Sequence, residues 1–396
     1  MKEKILFVLP GFTFGGTVFS TLNMISLLSK EKYDVYVLPM TYQGPVRKYY
    51  ADIKLLPESL VLSALMGRTC VEKRVSRRIA FLVVKTIRRI AACVGYDFSM
   101  RVFKMKAKSL QEKYAFNYVA SCQEGGATYF VSCFPSTKRI AWFRSEYSVY
   151  KDLMTPKDLL KDITLYHRFD NIVCVSQTTR DDFCKYLFDI QERVLAIHNI
   201  QNVDNILSKS RQQIDDPFEK NTFNIVSVGR VAPQKRFPSI PRIAADLKRR
   251  GLKFKWYIIG DGNMQGEWEK LQSAMDEYDV RDVVVCMGSR LNPYPYIASA
   301  NLSVTPSSYE ACPRVVIEAK ILKTPCVCAD FSSAKEFVTN DHDGYVDTLD
   351  GIVEPIARMI SDKNTYMRIK SACDSFKMDN DSIYKKLENV FSMYKS

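Results

Sequence analysis

Phe223-Asn224-Ile225-Val226-Ser227-Val228-Gly229-Arg230-Val231-Ala232-Pro233-Gln234-Lys235 is the stretch on which the fold turns. An apolar, β-prone run stops at a glycine, and two cations follow five residues apart. In an open parallel sheet, ligands bind beyond the carboxyl ends of the strands, where such cations can clamp a diphosphate. Solvated surface charges fit the same residues.

Similar runs lie on both sides of it. Phe254–Gly260, Val283–Gly288, Leu302–Pro306 and Pro325–Asp330 follow; Ile5–Leu9, Val35–Met40, Tyr118–Cys122, Arg139–Phe143, Ile172–Ser176 and Val194–Asn199 precede. They are continuous rather than alternating and bounded by Gly, Pro, Ser or Asp, as strands buried on both faces of a parallel sheet are. Helix-like segments separate them, which implies right-handed βαβ units. With 396 residues, two α/β domains are expected, both doubly wound. The polar stretch 201–221, with Asp215-Asp216-Pro217, reads as the linker. It leaves a first domain at 1–200 and a second at 222–370, with closing helices at 371–396.

Hydrophobic residues make up 46% and charged residues 26%, which excludes collagenous, disordered and coiled-coil classes. No apolar run reaches the ~20 residues of a bilayer span. Ile5–Leu9 is too short for a signal peptide and is broken by Pro10 and Gly11, so a cytoplasmic chain is expected. Eleven cysteines, with no Cys-x-x-Cys pair, read as reduced thiols, and three scattered histidines give no expected metal site.

The net charge is +13, and the segment 68–113 supplies +10 of it, thirteen Lys/Arg against three acids. It interrupts the strand–helix alternation and reads as a basic, helical insertion. On a helix, Arg74, Arg78, Lys85 and Arg89 share a face, and Ile79, Val83, Ile87 and Ile90 lie elsewhere. Either the basic face rests on anionic headgroups, with binding that weakens in salt, or it is a solvated face of a helix covering the first core. No recognised module for nucleic acid is present.

Four more features carry chemistry. Gly11-Phe12-Thr13-Phe14-Gly15-Gly16 is a glycine-rich strand-to-helix turn that does not match G-x-G-x-x-G; it is an anion site or a tight turn. Gly260-Asp261-Gly262 follows a strand directly and is a ligand turn or a plain loop. Glu310-Ala311-Cys312-Pro313-Arg314-Val315-Val316-Ile317-Glu318 places one carboxylate in a loop and one a turn inside a helix. Loop carboxylates at a ligand crevice accept hydrogen bonds from sugar hydroxyls; Glu318 could equally be a surface acid.

The ordered set, over roughly Ile172 to Tyr345, resembles the retaining family-four glycosyltransferases. The resemblance implies the GT-B fold, two Rossmann-like domains facing a central cleft, with the C-terminal helix closing back on the first. It implies a hexosyltransferase that moves a sugar from a nucleotide diphosphate sugar, UDP-linked in preference to GDP-linked, to a glycan or lipid-linked acceptor. The setting is capsule, O-antigen, lipopolysaccharide or exopolysaccharide synthesis, on the inner face of the cell membrane. Arg230 and Lys235 would hold the diphosphate, Glu310 the donor sugar and Glu318 the ribose. The backbone of Cys312, Pro313, Arg314 and Val315 would approach sugar or phosphate through its amides, helped by the start of the helix. Met287–Leu291, including Arg290 and Leu291, would flank the base; Gly229, Gly260 and Gly262 would line the pocket; Gly15 and Gly16 would sit below the phosphates. No metal or other cofactor is implied.

Ala311 and Thr324 stand where the family favours glycine. The family's histidine after the strand matching Arg139–Phe143 is missing, and Arg144 and Glu146 are its expected substitutes, or a structural ion pair. The other readings are a GT-B scaffold without catalysis that docks on an anionic membrane surface, and a sugar-nucleotide epimerase of similar fold.

Overall fold

The computed structural model describes residues 2–12, 15–40, 44–57, 59–66, 75–93, 97–262 and 264–392. The chain forms two compact units, Met1–Gln201 with Asn380–Ser396, and Asn202–Asp379.

Among the described residues, the first unit holds a seven-stranded parallel sheet of β1 (Glu3–Leu9), β2 (Tyr33–Pro39), β3 (Lys54–Leu55), β4 (Tyr118–Ser121), β5 (Lys138–Phe143), β6 (Asn171–Cys174) and β7 (Val194–Ala196). Their order is β3-β2-β1-β4-β5-β6-β7, so the crossovers run outward in both directions from β1. The second unit repeats the scheme with β8 (Phe223–Val228), β9 (Phe254–Ile259), β10 (Val284–Gly288), β11 (Leu302–Thr305), β12 (Cys326–Ala329) and β13 (Gly344–Asp347). Their order is β10-β9-β8-β11-β12-β13. Both are doubly wound Rossmann-like sheets. β4, β6, β11 and β12 are buried at every position, and accordingly none of them carries a charged residue. Two strands were not legible: β3 has only two residues, and β13, Gly-Tyr-Val-Asp, is too short to show a pattern.

The second sheet carries a core on each face. Trp256, Ile243 and Leu271 belong to one; Tyr296, Ile317 and Phe337 belong to the other. The stretch expected as a polar linker contains the helix Val203–Ser210. Asn202 caps it, and Val203, Ile206 and Leu207, at helical spacing, pack on the second core. The expected closing segment is likewise divided. The helix Lys363–Ser375 belongs to the second unit, and Phe376 and Met378 break away into that unit's core.

The last helix, Asn380–Ser392, belongs to the first unit. The Asn380 side chain exchanges two hydrogen bonds with the Gln201 backbone. Buried Ile383, Leu387, Val390 and Phe391 face the sheet, and the Phe391 ring lies against Phe7, Tyr33 and Tyr118. A closing helix on the first domain is thus present, beginning at Asn380.

Candidate functional site

In the second unit, β10, β9, β8 and β11 are consecutive neighbours, all parallel, so their carboxyl ends form one continuous edge. The sequence features after these strands meet there.

Gly229 and Gly260 end β8 and β9 in close backbone contact. The Gly229 amide donates to the Ile259 carbonyl at 3.0 Å, and the Gly260 amide to the Gly288 carbonyl at 2.9 Å. Gly260 sits at φ +156°, and a Cβ there would lie 1.7 Å from the Gly229 carbonyl oxygen. No other residue fits without moving a strand end. A Cβ on Gly229 would meet the Lys235 chain at 3.2 Å, so the glycine lets that side chain fold over the strand end. Val231 donates to the Asp261 carbonyl at 2.9 Å and ties Gly262's turn to the same edge.

Lys235, on the turn Pro233–Lys235, pairs with Glu310 at 2.5 Å between Nζ and Oε1. The two residues come from adjacent strand ends 75 positions apart. Ser307 donates to the same carboxylate oxygen at 2.9 Å, and Ser333 Oγ donates to the Glu310 carbonyl at 2.5 Å. Gln234 and the β11 loop are laced together through Ser308 N and Tyr309 O. Arg230, by contrast, is exposed and makes no side-chain hydrogen bond or ion pair among the described residues. An anchored lysine and an open arginine at one edge are a ready receptor for an anion.

The helix Arg314–Ile321 begins at Pro313, with no side chain capping its first amides. Glu318 is buried, four residues along. It accepts from Arg314 Nη2 at 2.7 Å and from the Tyr294 hydroxyl at 3.4 Å. Burial, and then the charge of Glu318, push the Tyr294 hydroxyl's pKa up, so it remains a donor. Burial pulls down on Arg314, but the adjacent carboxylate prevails and raises its pKa. Cys312 and Val315 are half-buried and Pro313 is buried. Of the two expected base-flanking residues, Arg290 is anchored to Asp216 at 2.5 Å and to the Tyr296 hydroxyl at 3.2 Å. Leu291 is 96% exposed. Thr324 is buried and donates to the Ile297 carbonyl at 2.8 Å, a bond that glycine lacks.

In the first unit the structure places Arg144 differently from Arg230. Its guanidinium donates to the Cys122 carbonyl at 2.6 Å, Ser20 Oγ at 2.8 Å and Asn199 Oδ1 at 2.6 Å. It thereby fastens the end of β4, the helix Gly16–Leu27 and the segment after β7 to one another. The acid on its own backbone is Glu124, which accepts from Arg144 N at 3.1 Å and from the Ser145 hydroxyl. Glu146 is buried. Arg144 also borders a small pocket shared with Met24, Trp142, His198 and Leu387. Gly15 is extended (φ 177°) with open space where a Cβ would stand; Gly16 is the first residue of the helix.

Sequence reading did not single out Glu124, Ser307, Ser333 or Tyr294. Ser307 stands three residues before Glu310, a spacing that could have flagged it; Tyr294 and Ser333 arrive through tertiary folding alone.

Two doubly wound parallel sheets in one chain are the architecture of the GT-B fold. Among solved structures, Anabaena HepE in complex with UDP-glucose matches 99% of this chain and 100% of its own at TM-score 0.71 and 16% identity. Residues 208–374 match the family "Glycosyl transferases group 1". The chain therefore has the GT-B fold, and the segment that resembles group 1 glycosyltransferases lies in the second unit. It is 26% identical over 230 residues to the N-acetylgalactosamine-N,N'-diacetylbacillosaminyl-diphospho-undecaprenol 4-alpha-N-acetylgalactosaminyltransferase of Campylobacter jejuni, covering 55% of this chain and 60% of that one. It is 23% identical over 273 residues to the UDP-Gal:alpha-D-GlcNAc-diphosphoundecaprenol alpha-1,3-galactosyltransferase of Escherichia coli, covering 66% of each. The chain spans about half the length of other curated relatives it matches.

Proposed function

We propose that the chain transfers a hexose from a UDP-sugar to a lipid-linked glycan, with retention of anomeric configuration, in bacterial surface polysaccharide assembly. The observation that carries this is the shared edge of Arg230, Lys235 and Glu310 beside the helix bearing Glu318. The support for the donor is the UDP-glucose complex of HepE, and for the acceptor the diphosphoundecaprenol substrates in the names of the two relatives. Capsule, O-antigen or exopolysaccharide synthesis at the inner face of the membrane is the setting consistent with them.

In this reading the second unit binds the donor and the first the acceptor. Arg230 and Lys235 hold the diphosphate and offset the charge that grows on the departing phosphate, a role a metal takes elsewhere. Glu310, set by Lys235 and Ser307, accepts hydrogen bonds from the donor sugar. Glu318 accepts from the ribose hydroxyls. The first amides of the helix Arg314–Ile321 face the phosphates. Leu291 offers an apolar surface to the base. The departing phosphate oxygen takes the proton of the acceptor hydroxyl on the same face of the sugar, so the protein need supply no base of its own. Arg144 acts here as a positioning residue, because three of its bonds are spent inside the first unit.

Calorimetric titration with UDP, GDP and ADP tests this. UDP binds, and Glu318→Ala loses it. Glu318→Ala strands Arg314, so Arg314→Leu/Glu318→Ala is run beside it to separate lost contacts from lost stability. A folded chain that binds no nucleotide refutes the donor site and leaves a GT-B scaffold without catalysis. Sugar-nucleotide conversion without acceptor identifies an epimerase instead.

A further inference from the structure

The helix Val75–Cys93 turns apolar residues outward. Val75 is 70% exposed, Ile79 57%, Leu82 59%, Val83 50% and Ile90 63%, with Ile87 also exposed. At 3.6 residues per turn these six fall within roughly 140° of the helix circumference. The side toward the first core is narrower, with Phe81 buried and Val84 packed against it. Arg88 Nη1 donates to the Leu65 carbonyl at 3.1 Å and fixes the helix on its neighbour Leu60–Met66. The apolar residues that the sequence reading allowed as cover for the first core are therefore in solvent. Arg74, expected on the basic face, lies outside the described residues.

Arg78, Lys85 and Arg89 run along one border of the apolar stripe. The helix carries five Lys/Arg and no acid, and the next helix, Phe98–Tyr114, adds five more against Glu112. A soluble surface does not leave six large aliphatic groups in water on one helix without an occupant. A second copy placed stripe to stripe would bring two sets of five cations together. An anionic lipid surface complements both features at once, apolar groups entering the acyl boundary and cations meeting phosphate. Five charges forbid spanning, and among the described residues no helix is long and apolar enough to cross a membrane.

We infer that Val75–Cys93 lies in the plane of an anionic bilayer, inserting Val75, Ile79, Leu82, Val83, Ile87 and Ile90 below the headgroups, with Arg78, Lys85 and Arg89 on lipid phosphates. This rests on the lipid-linked acceptor reading only for its purpose, which is to hold the first unit where such an acceptor presents its sugar. It also changes the expected salt response. Insertion persists in high salt, whereas a purely electrostatic face would release.

The test is flotation of the full chain with phosphatidylcholine vesicles, with and without phosphatidylglycerol. The chain floats with the anionic vesicles, and high salt weakens this without abolishing it. Ile79→Ser/Leu82→Ser/Ile90→Ser lowers the affinity by at least ~10-fold at either salt. Arg78→Gln/Arg89→Gln lowers it by about 10-fold at low salt and by less at high salt. All five positions are exposed, so the variants fold, which an unchanged melting curve checks. No flotation at low salt overturns the inference. So does complete release in salt, and so does a serine variant that floats normally. If the unaltered chain is a dimer that the serine variant breaks, and neither floats, the stripe is a contact between copies and the inference is wrong. Flotation needs no nucleotide. A chain that floats but binds no UDP refutes the transferase reading alone, and one that binds UDP but does not float refutes the membrane reading alone.

Discussion

The two units share a doubly wound parallel sheet but use their strand ends in opposite ways. In the second unit, Gly229 and Gly260 strip the edge down to backbone, and Arg230 stands open beside an anchored Lys235. In the first, the cation that follows β5, Arg144, is consumed by Cys122, Ser20 and Asn199. One edge leaves a cation exposed; the other uses its cation to hold itself together. A cation at a strand end is therefore not a site until its donors are counted.

Lys235→Ala should break the comparison most deeply. It removes the anchored cation and leaves Glu310 with Ser307 alone, and sugar transfer should fall by ~10³-fold, about 4 kcal/mol, with little change in melting temperature. Transfer within tenfold of the parent would show that the edge does not handle the leaving group. Gly260→Ala comes next. The new methyl must push the Gly229 carbonyl away, at a cost of about 3 kcal/mol of stability by denaturant titration. A neutral result would mean the strand ends separate freely.

Arg144→Ala sharpens the other half. It strands a carbonyl and two side-chain acceptors and should cost about 2 kcal/mol of stability while UDP affinity stays constant. Lost UDP affinity in a folded Arg144→Ala protein would make Arg144 a donor-site residue after all. The smallest effect concerns Asp162, which is buried against Tyr147, with Tyr129, Tyr150 and Tyr166 nearby. Burial pushes its carboxyl up to about 7, and the Tyr147 hydroxyl bond only partly opposes this. The folded chain thus holds that proton more tightly than the unfolded chain. The stability this provides is fully present below the ordinary carboxylate range, near pH 4, and is lost as pH rises toward 7. Asp162→Asn should flatten the decline, gaining on the order of 1–2 kcal/mol on the parent between about pH 5 and about pH 8. Parallel stability–pH curves for the two proteins would rule this out.

Much of the second unit was legible because its strands are buried on both faces and stop at glycines. Across both units the eleven expected strands occur, and β3 and β13 escaped because two and four residues carry no period. The order Gly229, Arg230, Lys235, Glu310, Glu318 could be placed at and just beyond strand ends of one domain before any contact was known. The helix Val203–Ser210 was obscured by its polar flanks, although its apolar spacing was in view. Arg144 was harder. Its residue type fits a sugar contact and a structural clamp equally, and only the positions of Ser20, Cys122 and Asn199 distinguish the two.

Residue type and spacing by themselves determined two parallel α/β units, the glycines and charges that stand at the strand ends, and the location of the excess positive charge. Those follow from local rules, continuous apolar runs for buried strands and glycine where backbones touch. Tertiary structure alone decided which charges are spent and which apolar faces are left over. Lys235 met Glu310 across 75 residues, Arg144 was bonded shut, and the aliphatic side of Val75–Cys93 was left in solvent while Phe81 took the place in the core. Pairing and burial depend on what a distant segment brings to the same place, and periodicity along a single helix does not say which of its faces that segment will cover.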